Sequence, residues 1–273
     1  MRVVSLLPAA TEIVAALGAG GWLVGVSHEC DWPAEVRSLP RLTHSNVDSS
    51  WSSAEIDRRP SRVTLDRDLL ARLAPDLIIG QSVCDVCAVG ENETAAAVAA
   101  LDPRPQVVTL HAHDLAGVLA DIGKVGDALD LASEAEELIA GLRYRLQRIR
   151  TPHVPRPKVL VVEWADPPYI AGHWVPELVA AAGGVDIAAR PGDRSVKGTW
   201  KELRALAPEV VVMALCGFDV PRARREAAAV TDEDARALFT HARVVFIDGN
   251  AYTSRPGPRL VEGTELLAQL ISG

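Results

Sequence analysis

The chain has 273 residues, 48 % of them apolar, enough for two lobes that each bury a core of their own. Its net charge of −8 argues against a nucleic-acid partner on bulk electrostatics, and no apolar run reaches the roughly 18–20 residues of a membrane span. The basic clusters at 143–156 and 222–225 read as solvated helix faces. Met1-Arg2 leads straight into Val3-Val4-Ser5-Leu6-Leu7-Pro8, too short an apolar run for an export leader. The expected location is therefore the cytosol, or outside the cytoplasm if the numbering begins after a removed leader. In a reducing compartment the four cysteines are expected as free thiols or metal ligands rather than disulfides.

In chain order, a strand at 2–6 runs into a helix with proline at its start and Gly18-Ala-Gly20-Gly21 as its stop. A strand at 23–26 leads into the loop Ser27-His-Glu-Cys-Asp-Trp-Pro33. Residues 40–64 are polar and Ser-rich without a clear period, and are expected as an excursion across the mouth of a cleft. A helix at 66–74, a strand at 76–80, a loop carrying Cys84 and Cys87, a helix at 90–100 and a strand at 106–110 complete the first lobe. From 113 to 150, apolar Leu131, Ala135, Leu138, Leu142, Leu146 and Ile149 recur every three or four residues and predict one long helix. The Pro-rich stretch 151–157 ends it. Strands near 158–163, 209–213 and 243–248 follow, with helices near 175–183, 199–207, 220–229 and 257–271. The expected division is 1–112, an N-terminal α/β lobe; 113–152, the connecting helix; and 153–273, a C-terminal α/β lobe.

Two phrases occur twice in the same order. Glu12-Ile-Val-Ala-Ala-Leu-Gly18 returns as Glu177-Leu-Val-Ala-Ala-Ala-Gly183, and Leu73-Ala-Pro-Asp-Leu-Ile-Ile79 returns as Leu206-Ala-Pro-Glu-Val-Val-Val212. Two related halves explain this, each built from strand–loop–helix units. Helices alternating with short Val/Ile runs predict an α/β fold with parallel sheets.

Parallel α/β sheets bind ligands beyond the carboxyl ends of their strands. The segments in those positions carry His28, Trp32, Glu163, Trp164, His173, Trp174, Asp248 and Arg255, and the 40–64 excursion adds Trp51. Tryptophans offer large contact area at low entropic cost, which suits a broad, partly apolar ligand. Ser5, Thr11 and Glu12 read as helix-capping chemistry. Glu163, Asp166 and Asp248 suit acid–base work, helix capping or the polar edge of a ligand. His111-Ala-His113 suits helix entry or a metal pair. Cys84-Asp-Val-Cys87 places two sulfurs where one metal or one disulfide takes both. With Cys30 and Cys216, all four thiolates suit an iron–sulfur cluster or zinc. Alternatively Cys30 and Cys216 are buried small hydrophobes, or Cys84 and Cys87 form a redox-sensing dithiol. No catalytic signature is present: no Gly-x-Ser-x-Gly, no phosphate loop and no Gly-x-Gly-x-x-Gly after the first strand.

Ser5-Leu-Leu-Pro-Ala-Ala-Thr-Glu12, Val24-Gly-Val-Ser27, Ala74-Pro-Asp-Leu-Ile-Ile79 and Arg255-Pro-Gly-Pro-Arg259 resemble the substrate-binding proteins of ABC importers for cobalamin and ferric siderophores, over essentially the whole chain. The resemblance implies two Rossmann-like α/β lobes with central, mostly parallel sheets, joined by one long rigid helix, with the ligand cleft between the lobes. It implies a corrinoid or metal chelate as ligand, an ABC importer permease as partner, and contacts at Ser5, Pro8, Trp32, Trp164 and Trp174. The segments containing His28-Glu-Cys30, Cys84-Asp-Val-Cys87 and Glu163–Trp174 resemble a subgroup described as cobalamin-binding. Two readings stand: a non-enzymatic, cleft-type binding protein for cobalamin or a related chelate, with His28, His173 or a cysteine as donor to the metal; and a cytosolic metalloprotein or enzyme using Cys30, Cys84, Cys87 and Cys216.

Overall fold

A computed structural model describes residues 1–48, 50–59, 63–82, 89–149 and 155–273. The chain divides into two compact units. Unit 1 holds Met1–Ser49, Pro60–Ala112 and Ala116–Gly141; unit 2 holds Ser50–Arg59, His113–Leu115 and Leu142–Gly273. Residues 50–59 thus group with unit 2, and the stretch 113–152 is shared, 116–141 in unit 1 and the rest in unit 2.

The chain opens with β1 (Val3–Ser5), α1 (Pro8–Ala16), β2 (Leu23–Val26) and β3 (Thr43–Ser45). Then come α2 (Ser53–Arg58), β4 (Val63–Leu65), α3 (Arg67–Leu73), β5 (Leu77–Gln81), α4 (Glu91–Ala99) and β6 (Gln106–Leu110). The sheet of unit 1 has the order β2-β1-β5-β6, parallel throughout, and β3 and β4 form a separate antiparallel ribbon. β1 and β5 are buried at every residue, as expected of inner parallel strands covered on both faces.

After α5 (Leu115–Ala128) and α6 (Ala132–Arg148) come β7 (Lys158–Ala165), β8 (Pro168–Ile170), α7 (Val175–Ala181), β9 (Val185–Asp186), β10 (Val196–Lys197) and α8 (Trp200–Ala205). β11 (Val210–Met213), α9 (Val220–Ala229), α10 (Glu233–His241), β12 (Arg243–Phe246), α11 (Gly249–Tyr252) and α12 (Leu260–Ser272) complete the chain. The sheet of unit 2 runs β10-β8-β7-β11-β12, with β9 also beside β7. β7, β9, β11 and β12 pair in parallel, while β8 and β10 extend the sheet antiparallel. The two-lobed, mostly parallel α/β architecture is the one expected. A core of Leu160, Val162, Val211, Met213, Leu215 and Trp200 anchors unit 2, and Val4, Leu6, Leu42, Leu70 and Ile78 do the same in unit 1.

The repeated phrases are repeated backbone solutions. α1 and α7 each carry proline in the first turn, and each is followed by a glycine at positive φ: Gly18 at 78° and Gly183 at 91°. This is the helix exit that glycine favours. Ala74 and Ala207 both adopt left-handed conformations, at φ 40° and 49°, immediately before a proline. Each then feeds the strand beside the first strand of its own unit, β5 beside β1 and β11 beside β7.

Residues 113–150 correct the expectation of a single long helix, because α5 and α6 are separate. The Leu131 N–H turns back to the Gly126 carbonyl at 2.8 Å, and Asp130 sits at φ 57°, a region aspartate tolerates better than most residues. A Cβ on Gly126 would lie 2.4 Å from the Ala135 Cβ and 3.0 Å from the Leu131 carbonyl oxygen. The turn therefore closes onto bare backbone. Apolar spacing shows which residues share a face, but it does not register a three-residue turn between two helices. In the 40–64 excursion, β3, α2 and β4 are present, and α2 begins with a reciprocal Ser52–Glu55 capping box.

Gly126→Ala is expected to destabilise the protein by about 1–3 kcal/mol through overpacking. Gly141→Ala, inside α6 where an added Cβ meets nothing within 4 Å, is expected to stabilise by about 0.5–1 kcal/mol. Urea midpoints at constant m value test both; equal midpoints for the two variants would contradict the close approach at Gly126.

Candidate ligand-binding loops

In unit 1, the Arg41 guanidinium ties down the loop after β2. It donates to the Ser27 carbonyl at 2.9 Å and to the Cys30 carbonyl, while Arg37 Nε donates to the Asp31 carbonyl at 2.9 Å. On this pinned backbone Trp32 stands 48 % exposed. His28, four positions earlier, is half-buried. Its Nδ1 lies 2.6 Å from Thr43 Oγ1 and its Nε2 lies 3.3 Å from Glu29 Oε1, so both ring nitrogens face protein groups.

Ser5 lies at the end of β1. It is fully buried, its hydroxyl donates to the Leu7 carbonyl at 2.9 Å, and Thr11 Oγ1 lies 2.8 Å away. The same network reaches Cys30, which is 1 % exposed: Sγ is 3.0 Å from Thr11 Oγ1 and 3.2 Å from Ser27 Oγ. Pro8 is half-buried in the first turn of α1. Cys84 and Cys87 lie outside the described residues. Cys216 is half-buried after β11, its N–H bonded to the Glu163 carbonyl at 2.8 Å. Among the described residues no group of three or more His, Cys, Asp or Glu is placed to hold a metal ion. The iron–sulfur or zinc reading therefore gains no support.

In unit 2, the β7–β8 pairing is irregular between Val162 and Trp164, the kind of local kink that re-aims side chains. Trp164 is half-buried, its ring 5.3 Å from that of Phe218, and its Nε1 donates to the Ser53 carbonyl at 3.1 Å. Glu163 is half-buried in the same strand. Trp174, expected as a ligand contact, is 7 % exposed, with Nε1 donating to the Thr253 carbonyl at 2.8 Å. Its area is spent on the core and its one donor on backbone. Arg255 is likewise buried, with Nη2 donating to Asn250 Oδ1 at 2.9 Å. Asp248 is the N-cap of α11, accepting from the Ala251 N–H at 2.8 Å. Burial pushes its carboxyl above the usual range, against the pull of that hydrogen bond.

His173 sits at φ 54°. Its N–H reaches the Asp193 carbonyl at 2.5 Å and its carbonyl accepts from Gly192 at 3.0 Å. A Cβ on neighbouring Gly172 would lie 2.4 Å from the Asp193 carbonyl oxygen, so only glycine admits this approach. The imidazole stacks on His113, centroids 5.8 Å apart and planes 19° apart, and lies 5.5 Å from the Trp174 ring. Burial, followed by the positive charges of His113 and Arg194, holds the His173 pKa below its ordinary value. The His113–His173 pair, 60 positions apart in sequence, has no signal in the chain, where His113 reads as helix entry or as a pair with His111.

These loops offer indole area and imidazoles, an inventory for holding a ligand. A separate groove of about 230 Å³ lies elsewhere, against β5, β6 and α4.

The sequence profile of the family described as periplasmic binding protein matches residues 3–243. The chain belongs to the periplasmic binding protein family. It is 26 % identical to a Bacillus subtilis protein named as an uncharacterised ABC transporter substrate-binding lipoprotein, covering 99 % of this chain and 79 % of that one. It is 25 % identical to the vitamin B12-binding protein of Vibrio cholerae, covering 97 % and 86 % respectively. Among solved structures, the periplasmic heme-binding protein RhuT of Roseiflexus aligns with a TM-score of 0.71 at 22 % identity, covering 99 % of this chain and 97 % of that one. The periplasmic vitamin B12 binding protein BtuF of Vibrio cholerae aligns at 0.65 and 19 %, covering 99 % and 96 %. At such identities these structures establish a shared fold.

Because the folded pKa of His173 is depressed below the ordinary 6.5, the unfolded chain takes up this proton first as pH falls. Stability therefore rises with pH between the lowered folded value and about 6.5, and the cost is complete below the folded value. His173→Asn, neutral and tolerant of positive φ, is expected to flatten this part of the profile. Denaturant midpoints from pH 7.5 to 4.5 check it; an unchanged slope refutes the assignment.

Proposed function

We propose that this chain is the extracytoplasmic substrate-binding component of an ABC importer and that its ligand is a corrinoid or a related planar metal chelate. The observation that carries this reading is Trp32, an indole 48 % exposed on a loop pinned through its carbonyls, in a chain whose family match runs from residue 3 to 243. Displaying so much apolar surface on a held backbone is costly in water and useful to a broad flat ligand. The Bacillus and Vibrio relatives, named for ABC transport and vitamin B12 binding, support the class. The lipoprotein name supports an extracytoplasmic setting over the cytosolic one. A permease is the implied partner. Among the described residues no helix is long and apolar enough to cross a membrane.

In this reading Trp32 is the ligand contact offered by unit 1, with Pro8 in the same role and His28 holding the loop through Thr43, and Trp51 and Trp164 are the contacts offered by unit 2, with His173 as its polar or metal-directed group. Ser5, Trp174, Asp248 and Arg255 hold the loops in place. Heme is the second reading, favoured by the fold shared with heme-binding neighbours.

Titrations of hydroxocobalamin and of hemin, followed by tryptophan quenching and by calorimetry, test the class. Trp32→Ala is expected to weaken the preferred ligand by about 10–30-fold, as loss of a central aromatic contact does, with circular dichroism unchanged. Absence of binding by wild-type protein to both chelates would sink the proposal.

A further inference from the structure

Residues 50–59 lie in unit 2, more than a hundred positions from most of the groups that hold them. α2 is six residues long, too short to persist without tertiary support. Its apolar support includes Ile56, packed on the unit 2 core. The rest is polar, and most of it grips backbone. Arg222 Nη2 donates to the Trp51 carbonyl at 2.7 Å, Glu226 Oε2 accepts from the Ser53 N–H at 2.9 Å, and Trp164 Nε1 donates to the Ser53 carbonyl at 3.1 Å. Asp57 adds Lys197 at 3.2 Å and the Tyr169 hydroxyl at 3.3 Å.

Arg222 and Glu226 stand one turn apart on α9, with side chains only 19 % and 12 % exposed, so Arg222 is no solvated face as its basic cluster suggested. Their mutual separation is 3.9 Å, longer than either hydrogen bond to the segment. Two largely desolvated charges thus spend their best geometry on the 51–53 main chain, where a charge-assisted bond is stronger than a neutral one. Arg222 also lies 3.8 Å over the Phe218 ring, Phe218 packs on Trp164, and Arg59 lies 4.0 Å over the Trp51 ring. Trp51 and Trp164 therefore belong to one bonded assembly.

We propose that Arg222 and Glu226 are positioning residues: a clamp on the Trp51–Ser53 backbone that presents Trp51 and Trp164 together as one ligand-recognition element. The proposal rests on the ligand-binding reading above. Because the clamp grips the main chain at 51 and 53, the Trp51 indole is the element whose placement depends on it.

Hydrogen exchange of residues 50–59 in ligand-free protein tests the clamp without any ligand. Arg222→Met and Glu226→Gln are each expected to raise exchange there at least about tenfold, with circular dichroism and exchange of β7 and β11 unchanged. Binding of hydroxocobalamin, or of hemin if that is the chelate bound, is expected to weaken about tenfold in each variant. Arg222→Lys is expected to recover part of the loss. In a Trp51→Ala background, Arg222→Met should cost no more than about twofold further, because both act through one element. Unchanged exchange in both variants overturns the clamp. Faster exchange with full affinity overturns the positioning role, as does full additivity with Trp51→Ala. If wild-type protein binds neither chelate, the ligand reading fails and the recognition role falls with it, whatever the exchange data show.

Discussion

Each unit depends on a pair of adjacent parallel strands that are buried on both faces: β1 with β5, and β7 with β11. Val4, Ile78, Leu160 and Val211, one on each strand, are 0 % exposed. Parallel strands cannot be joined by tight turns, so the chain must leave at one end of the sheet and return through a helix or long crossover. That requirement gathers the strand-exit loops of a sheet at one edge. The loops bearing Trp32 and Cys216, after β2 and β11, exist because of it.

Cores and loops are held by different physics. The cores are dense aliphatic packing, with hydrophobic burial as the main favourable contribution. The loops bury less and rely on charged side chains that bond to carbonyls: Arg41 on Ser27 and Cys30, Arg222 on Trp51. An arginine fork fixes a backbone without filling volume, leaving the adjoining indole surface available. The cost of this arrangement shows at His173, where a left-handed backbone, a stacked histidine and burial coincide. Such strain persists only when the surroundings over-determine it, and Gly172 supplies that constraint by lying directly against Asp193.

Several elements were legible because their signal is local. Proline-start helices, the glycine exits at Gly18 and Gly183, and the inner strands each occupy nearly the expected residues, since propensity, burial and turn chemistry agree there. The break between α5 and α6 was not legible, because Leu131, Ala135, Leu138 and Leu142 keep helical spacing up to a turn that depends on Gly126 lacking a side chain. Two-residue β9 and β10 and three-residue β8 are too short to display a period. Among the candidate site residues, Trp32 is exposed whereas Ser5 and Trp174 are buried, a difference that residue type alone does not reveal.

The sequence by itself determined the α/β class, the two related halves and the family, because alternating strand and helix periods and the repeated Glu-x-Val-Ala-Ala-x-Gly and Leu-Ala-Pro phrases are properties of neighbouring residues. Only tertiary structure decided that His113 meets His173, that residues 50–59 join unit 2, and that Trp174 is core while Trp32 is surface. Those outcomes rest on contacts between residues tens to more than a hundred positions apart, where spacing along the chain carries no information about distance in space.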